Sequence, residues 1–126
     1  MYKYMKEEWK DIEGMEGEYQ ISNTGRVKSL ERESPSYLNK YGKKQTHKVK
    51  ERILANWFLK PKGYVMVTLS GARKFSIHRL VVKHFIGHIA EGLVVDHIDF
   101  DVTNNLVNNL RIVDYVESNK HRRFLL

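Results

Sequence analysis

The 126-residue chain contains no cysteine, which excludes disulfides and thiolate metal sites together. Its extended segments must therefore be held by packing and hydrogen bonds alone. Prolines number two, in "SP" at 34–35 and "KP" at 60–61, one on either side of a strongly basic stretch. No apolar run reaches the roughly 20 residues of a membrane span, and the opening "MYKYMKEEWKDIEG" lacks the apolar centre of a signal peptide. The expectation is a cytoplasmic protein, neither secreted nor a membrane partner. Tandem repeats, low-complexity linkers and a glycine-rich phosphate loop are also missing, so no small-molecule cofactor is expected.

What is present describes a globular chain: 41% of residues are hydrophobic and 29% charged, within the range of a single folded domain or a small domain with an appendage. The formal net charge is +7, unevenly spread. In the first twenty residues Glu7, Glu8, Asp11, Glu13, Glu16 and Glu18 outnumber Lys3, Lys6 and Lys10. Further on, Lys40, Lys43, Lys44, Lys48, Lys50 and Arg52 crowd together, and the chain closes on "KHRRFLL". Two basic clusters on a small protein suit a polyanion, most often nucleic acid. Solvated lysines on a basic protein explain the charge equally well, so charge alone leaves both readings open.

Hydrophobic pattern divides the chain. Residues 9 to 30 alternate apolar and polar around the turn "NTG", predicting a small β-hairpin that must dock to be stable, with Trp9, Ile12 and Tyr19 as docking residues. Residues 31 to 52 show little periodicity and read as a basic loop or two irregular strands. Tyr64–Leu69 and Lys74–Ile77 predict two strands joined by the turn "SGAR". Leu80, Val81, His84 and Phe85 recur at helical spacing in a helix that stops at Gly87, with Ser76 or His78 as its cap. After that come the strand "GLVVDH", a loop rich in Asn and Asp, the strand "LRIV", and a helix opened by "DYVE", a capping-box pattern.

The last unit concentrates the chemistry. Asp96 and His97 sit side by side at a strand end, Asn104, Asn105, Asn108 and Asn109 follow, and the final helix carries Ser118, Asn119, Lys120, His121 and Arg122. A carboxylate can hold a hard cation while a neutral imidazole accepts a proton from water, the pairing that metal-assisted hydrolysis needs. On a regular strand the two side chains point to opposite faces. Each feature singly has a plainer explanation: a turn entry, turn-forming asparagines, a basic helix end facing its dipole. His84 and His88 have a spacing seen in helical metal sites, but Gly87 ends the helix between them and no third ligand is evident, so a zinc site is rejected.

The segment "HRLVVKHFIGHIAEGLVVDHIDFDVTNNLVNNLRIVDYVESNKH", residues 78 to 121, resembles the HNH endonucleases of phage genomes and mobile introns. Upstream, "EEWKDIEGMEGEYQISNTGRVKSL" is similar to the short module that often precedes them, and "LKPKGYVMVTL" fits between the two. The resemblance spans nearly the whole chain apart from residues 31 to 52. It implies an α+β protein in which two strands and a helix, the ββα-metal motif, surround one divalent ion, Mg²⁺ or Mn²⁺. By position it makes Asp96 a metal ligand, His97 the general base, and Asn109 the residue that fixes the loop and helps orient His97. The family's final-helix "EN" is here Glu117-Ser118, so Ser118 takes the second ligand position as a weaker neutral donor. Where "DGN" is common the chain has Asp99-Phe100-Asp101, placing a side chain where glycine is favoured.

The resulting expectation is a small N-terminal β module (1–30), a basic, partly irregular connecting region (31–62) and a nuclease domain (63–126) with a central hairpin and helix. The function expected is hydrolysis of DNA phosphodiester bonds by a monomer whose one active site is compatible with nicking. Arg26, Lys28, Lys43, Lys44, Lys48, Lys120, His121 and Arg122 would contact double-stranded DNA. The rival is an HNH-like DNA-binding protein with weakened or lost catalysis, which Ser118 favours.

Overall fold

The structure is a computed structural model that describes residues 5–116. Ser118, Lys120, His121 and Arg122, and all but the first residues of the helix expected from Asp114, lie outside the described residues.

Alternation in the first thirty residues produces a sheet larger than the expected hairpin. β1 (Trp9–Asp11), β2 (Tyr19–Ser22) and β3 (Val27–Ser29) form an antiparallel meander. Tyr19, Ile21 and Val27 all fall on its buried face, as the two-residue period of a strand requires. The basic region that follows is not an unpaired loop. Its short strands β4 (Arg32–Glu33), β5 (Tyr37–Leu38), β6 (Lys44–Gln45) and β7 (Lys48–Val49) pair as β4 with β7 and β5 with β6. They make a narrow arm turned back at Asn39, whose side-chain oxygen accepts the N–H groups of Tyr41 and Lys43 at 2.9 and 3.1 Å. The chain then returns as β8 (Arg52–Ile53), which pairs with β3 and completes a four-stranded sheet.

β9 (Trp57–Leu59), β10 (Tyr64–Leu69) and β11 (Arg73–Ser76) form a second antiparallel sheet with β10 in the middle. Val65, Val67 and Leu69 alternate into the core. The helix α1 (Ile77–Phe85) buries Ile77, Leu80, Val81 and Val82 and closes as the N–H groups of Ile86 and Gly87 bond the Val82 carbonyl. Its start differs from the expectation. Ser76 occupies the cap position without a capping hydrogen bond, and its Oγ is buried with no partner. The antiparallel hairpin of β12 (Leu93–His97) and β13 (Leu110–Asp114) follows, linked by the Asn-rich loop.

One core joins the N-terminal sheet, β10, α1 and β13. Ile12, Met15, Tyr19, Ile21 and Val27 from the N-terminal sheet pack with Val65, Val67 and Leu69 from β10, the apolar face of α1, and Leu110 from β13. At the edge of this junction His84 joins α1 to the N-terminal sheet. One ring nitrogen, Nδ1, donates to the Leu80 carbonyl at 2.8 Å and the other, Nε2, accepts the Glu13 N–H at 2.9 Å. These two hydrogen bonds make His84 a clasp between elements.

Candidate active site

β12 delivers Asp96 and His97 to the end of its hairpin, and pairing with β13 fixes where they face: Asp96 lies opposite Arg111, His97 opposite Leu110. Asp96 and His97 are 1% and 3% exposed, so each must be satisfied from within the protein. Arg111 supplies Nε–H and Nη2–H bonds to Asp96 Oδ2, both 3.1 Å. His97 Nε2 faces Asn105 Oδ1 at 2.8 Å. A carbonyl oxygen only accepts, so Nε2 carries the proton and a neutral ring keeps its lone pair on Nδ1.

The ring of His97 is also walled by aromatic neighbours. His78, near the start of α1, lies 5.2 Å from it between ring centroids, Tyr64 at the start of β10 lies 6.1 Å away, and Tyr64 and His78 are 5.1 Å apart. Three elements thus meet over one imidazole. His78 Nδ1 is buried without a hydrogen-bond partner. Burial, then the neighbouring His97 and Arg79, push the His78 pKa down to about 4 from an ordinary 6.5, so this ring is neutral near pH 7.

Residues 98 to 109 are closed by a side-chain network. Asn109 Oδ1 accepts the Asp99 N–H at 3.1 Å, while its Nδ2 donates to Asp99 Oδ1 at 2.9 Å and to the Asn104 carbonyl at 2.8 Å. Asn104 Nδ2 donates to Asp99 Oδ2 at 2.7 Å and the Asp101 N–H bonds Asp99 Oδ1 at 2.8 Å. These bonds, led by that from Asn104, hold the Asp99 carboxyl below its ordinary range. Asn109 therefore ties the loop together, and the side chain that meets the His97 ring is Asn105. Among four asparagines in a six-residue span, nothing in the sequence distinguishes the one that points at the imidazole. Tyr64 and Arg111 were likewise unmarked, because both act across strands distant in sequence. Phe100, in the position where glycine is common, adopts φ +65°.

The expected DNA contacts fall into two groups among the described residues. Arg26 is engaged within the protein: its guanidinium pairs with Glu7, with Nε 2.9 Å from Oε2, and lies over Trp9. Hydrogen bonds from Arg26 above all, helped by Thr24 and Ser22, lower the Glu7 carboxyl to about 2. Lys28 Nζ sits 4.1 Å from the centre of the Trp9 ring. Lys43 and Lys44 are exposed on the arm with Tyr41 and Leu38, and Lys48 lies 3.4 Å from Glu31 in an exposed pair.

Comparison with known proteins agrees with this arrangement. Residues 7–70 match the NUMOD4 motif and residues 76–117 match an HNH endonuclease family; the chain belongs to the proteins that carry a NUMOD4 motif, here followed by an HNH endonuclease domain. It is 44% identical over 110 residues to the DNA endonuclease I-HmuI of Bacillus phage SP01, an alignment covering 84% of this chain and 52% of I-HmuI. It is also 41% identical over 68 residues, 51% of this chain and 39% of the relative, to YosQ, the SPbeta prophage-derived protein of Bacillus subtilis (strain 168) described as an HNH homing endonuclease. The chain thus spans about half the length of I-HmuI. A solved structure concerned with DNA binding and cleavage by the HNH homing endonuclease I-HmuI superposes with a TM-score of 0.66 at 41% identity, over 94% of this chain and 60% of that one.

HNH endonucleases generally use a divalent metal ion. Among the described residues no three His, Asp or Glu side chains converge on a metal position. One buried carboxylate still suits a hard cation that keeps most of its waters, and Asp96 is that carboxylate.

Proposed function

We propose that the chain is a DNA endonuclease that hydrolyses phosphodiester bonds with His97 as general base and nicks one strand per binding event. The observation that carries this reading is the buried His97 ring, its Nε2 held 2.8 Å from Asn105 beside the buried Asp96. With the proton on Nε2, the Nδ1 lone pair takes a proton from water as the water oxygen bonds to phosphorus. The P–O3′ bond breaks, and the departing 3′ oxygen is protonated by solvent. Asp96, with Ser118 beyond the described residues, would hold Mg²⁺ or Mn²⁺. Such an ion, when bound, supplies electrostatic stabilisation to the phosphate oxygens. Lys28 and the arm lysines Lys43, Lys44 and Lys48 bind backbone phosphates of double-stranded DNA and set its position without reading sequence, joined by Lys120, His121 and Arg122. Arg26 serves the same face through its hold on Trp9 and Glu7.

The test is cleavage of supercoiled plasmid with Mg²⁺ and with Mn²⁺. Nicked circles should form before linear DNA, and His97→Ala should slow nicking by about 10²- to 10⁴-fold, the usual contribution of a general base. Unchanged nicking by His97→Ala would remove the proposed mechanism.

A second reading, DNA binding with weakened cleavage, is favoured by Arg111. Its guanidinium bonds Asp96 Oδ2 twice and competes with a cation for the same oxygen. Tight, salt-sensitive DNA binding without nicking in Mg²⁺, Mn²⁺, Co²⁺ or Ni²⁺ would establish that alternative.

A further inference from the structure

The N-terminal sheet reaches the nuclease centre through the turn between β2 and β3. Asn23 is fastened to the chain before β1: its N–H bonds the Glu8 carbonyl at 3.1 Å, its Oδ1 accepts the Glu8 N–H at 3.0 Å, and its Nδ2 donates to the Lys6 carbonyl at 3.0 Å. The Asn23 carbonyl in turn accepts the N–H of Val107, in the loop that follows His97, at 2.9 Å. Two residues on, Gly25 lies against Asn105. A Cβ built on Gly25 would stand 3.0 Å from Asn105 Cβ and 3.4 Å from both the Asn105 carbonyl oxygen and Ile77 Cγ2, and Gly25 has φ +91°. Glycine is required twice here, for the left-handed backbone and for the close approach. Asn105, 5% exposed, is the residue whose side-chain oxygen meets His97.

We propose that the Asn23–Gly25 turn is part of the nuclease centre: it seats Asn105, and through Asn105 it sets the tautomer and orientation of His97. Gly25 and Asn105 are positioning residues in this arrangement, and the N-terminal module is a structural component of catalysis as well as a surface for DNA. The inference rests on His97 being the base. A methyl group at position 25 would press first on Asn105 Cβ, at 3.0 Å, so its effect on cleavage should depend on the Asn105 side chain.

A double-mutant cycle in the full chain tests it. Single-turnover nicking at saturating enzyme, DNA affinity, thermal melting and the imidazole ¹⁵N signals of His97 are measured for wild type, Gly25→Ala, Asn105→Ala and the double variant. Gly25→Ala should slow nicking by about 10- to 100-fold, the scale expected for a misplaced reacting group, with DNA affinity unchanged within about twofold. Its His97 ¹⁵N signals should move toward those of Asn105→Ala. In the Asn105→Ala background, where no amide remains to be displaced, Gly25→Ala should slow nicking by less than about threefold. An equal loss in both backgrounds, or unmoved His97 signals, overturns the proposal in favour of a purely structural glycine. Gly25→Asn, which tolerates positive φ better while bringing the same Cβ, replaces Gly25→Ala if that variant does not fold; failure of both to fold while Asn105→Ala folds also overturns it. Full nicking by His97→Ala would remove the base assignment, and the His97 signals would still decide whether the turn positions the ring.

Discussion

At the scale of single residues, Phe100 shows how the site tolerates a locally unfavourable choice. It sits at φ +65° in the turn where its N–H bonds the His97 carbonyl at 3.0 Å. A left-handed conformation costs a non-glycine residue on the order of 1 kcal/mol. Phe100→Gly should therefore stabilise the protein by ~1 kcal/mol, less whatever contact the half-buried ring makes, and denaturant melts with an unchanged slope would measure it. His78 gives a second prediction, in which the sign follows from its depressed pKa. The folded protein takes up the proton only near pH 4, the unfolded chain near 6.5. Between those values the unfolded state binds more protons, so the His78 contribution is complete above pH 6.5 and is lost as pH falls toward 4. His97, Arg79 and Tyr64 surround the ring and remain in a His78→Phe variant. That variant should lose less stability across this window, by on the order of 2 kcal/mol; parallel stability profiles for the two proteins would contradict the assignment. At this scale the sequence was partly legible. Asp96 and His97 stood out because a polar pair ending an apolar strand demands partners, whereas the partners themselves, Asn105, Arg111 and Tyr64, depend on loop closure and cross-strand register that no local pattern encodes.

At the scale of elements, legibility followed burial. β2, β10 and α1 show the two-residue and helical periods because one face of each enters the core. The arm from β4 to β7 shows neither, because its two-residue strands are mostly exposed and backbone pairing holds it without an apolar face. Its exposure gives the lysines a consequence that can be measured. Each phosphate neutralised on duplex DNA contributes about 0.9 to the slope of log affinity against log salt. Replacing Lys43 and Lys44 together with alanine should weaken binding to all duplex sequences alike and reduce that slope by about 2, while leaving folding unaltered since both are exposed. A slope identical to wild type would place the DNA away from the arm.

At the scale of the whole molecule, the boundary suggested near residue 62 by composition does not coincide with a boundary in the core. Ile12, Met15, Tyr19, Ile21 and Val27 from one side pack in the same cluster as Val65, Val67, Ile77, Val81 and Leu110 from the other. His84 bonds across the junction to Glu13, Lys10 Nζ donates to the His84 carbonyl at 2.9 Å, and Lys83 lies 3.3 Å from Glu13. Removing residues 1–62 would expose the face of α1 that packs on β2 and take away the turn that seats Asn105. Burying a single large aliphatic side chain is worth about 1.5–3 kcal/mol, and a whole domain has only about 5–15 kcal/mol to lose. Loss of five core side chains, about 7.5–15 kcal/mol on that scale, is as large as the whole margin. The fragment 63–126 should consequently lack a cooperative melt and give a poorly dispersed ¹H–¹⁵N spectrum, while the full chain should unfold in one transition seen alike by circular dichroism and by tryptophan fluorescence from Trp9 and Trp57. A fragment that melts cooperatively with native-like dispersion would mean that the nuclease half folds alone, and that the N-terminal sheet joins it only as an added surface.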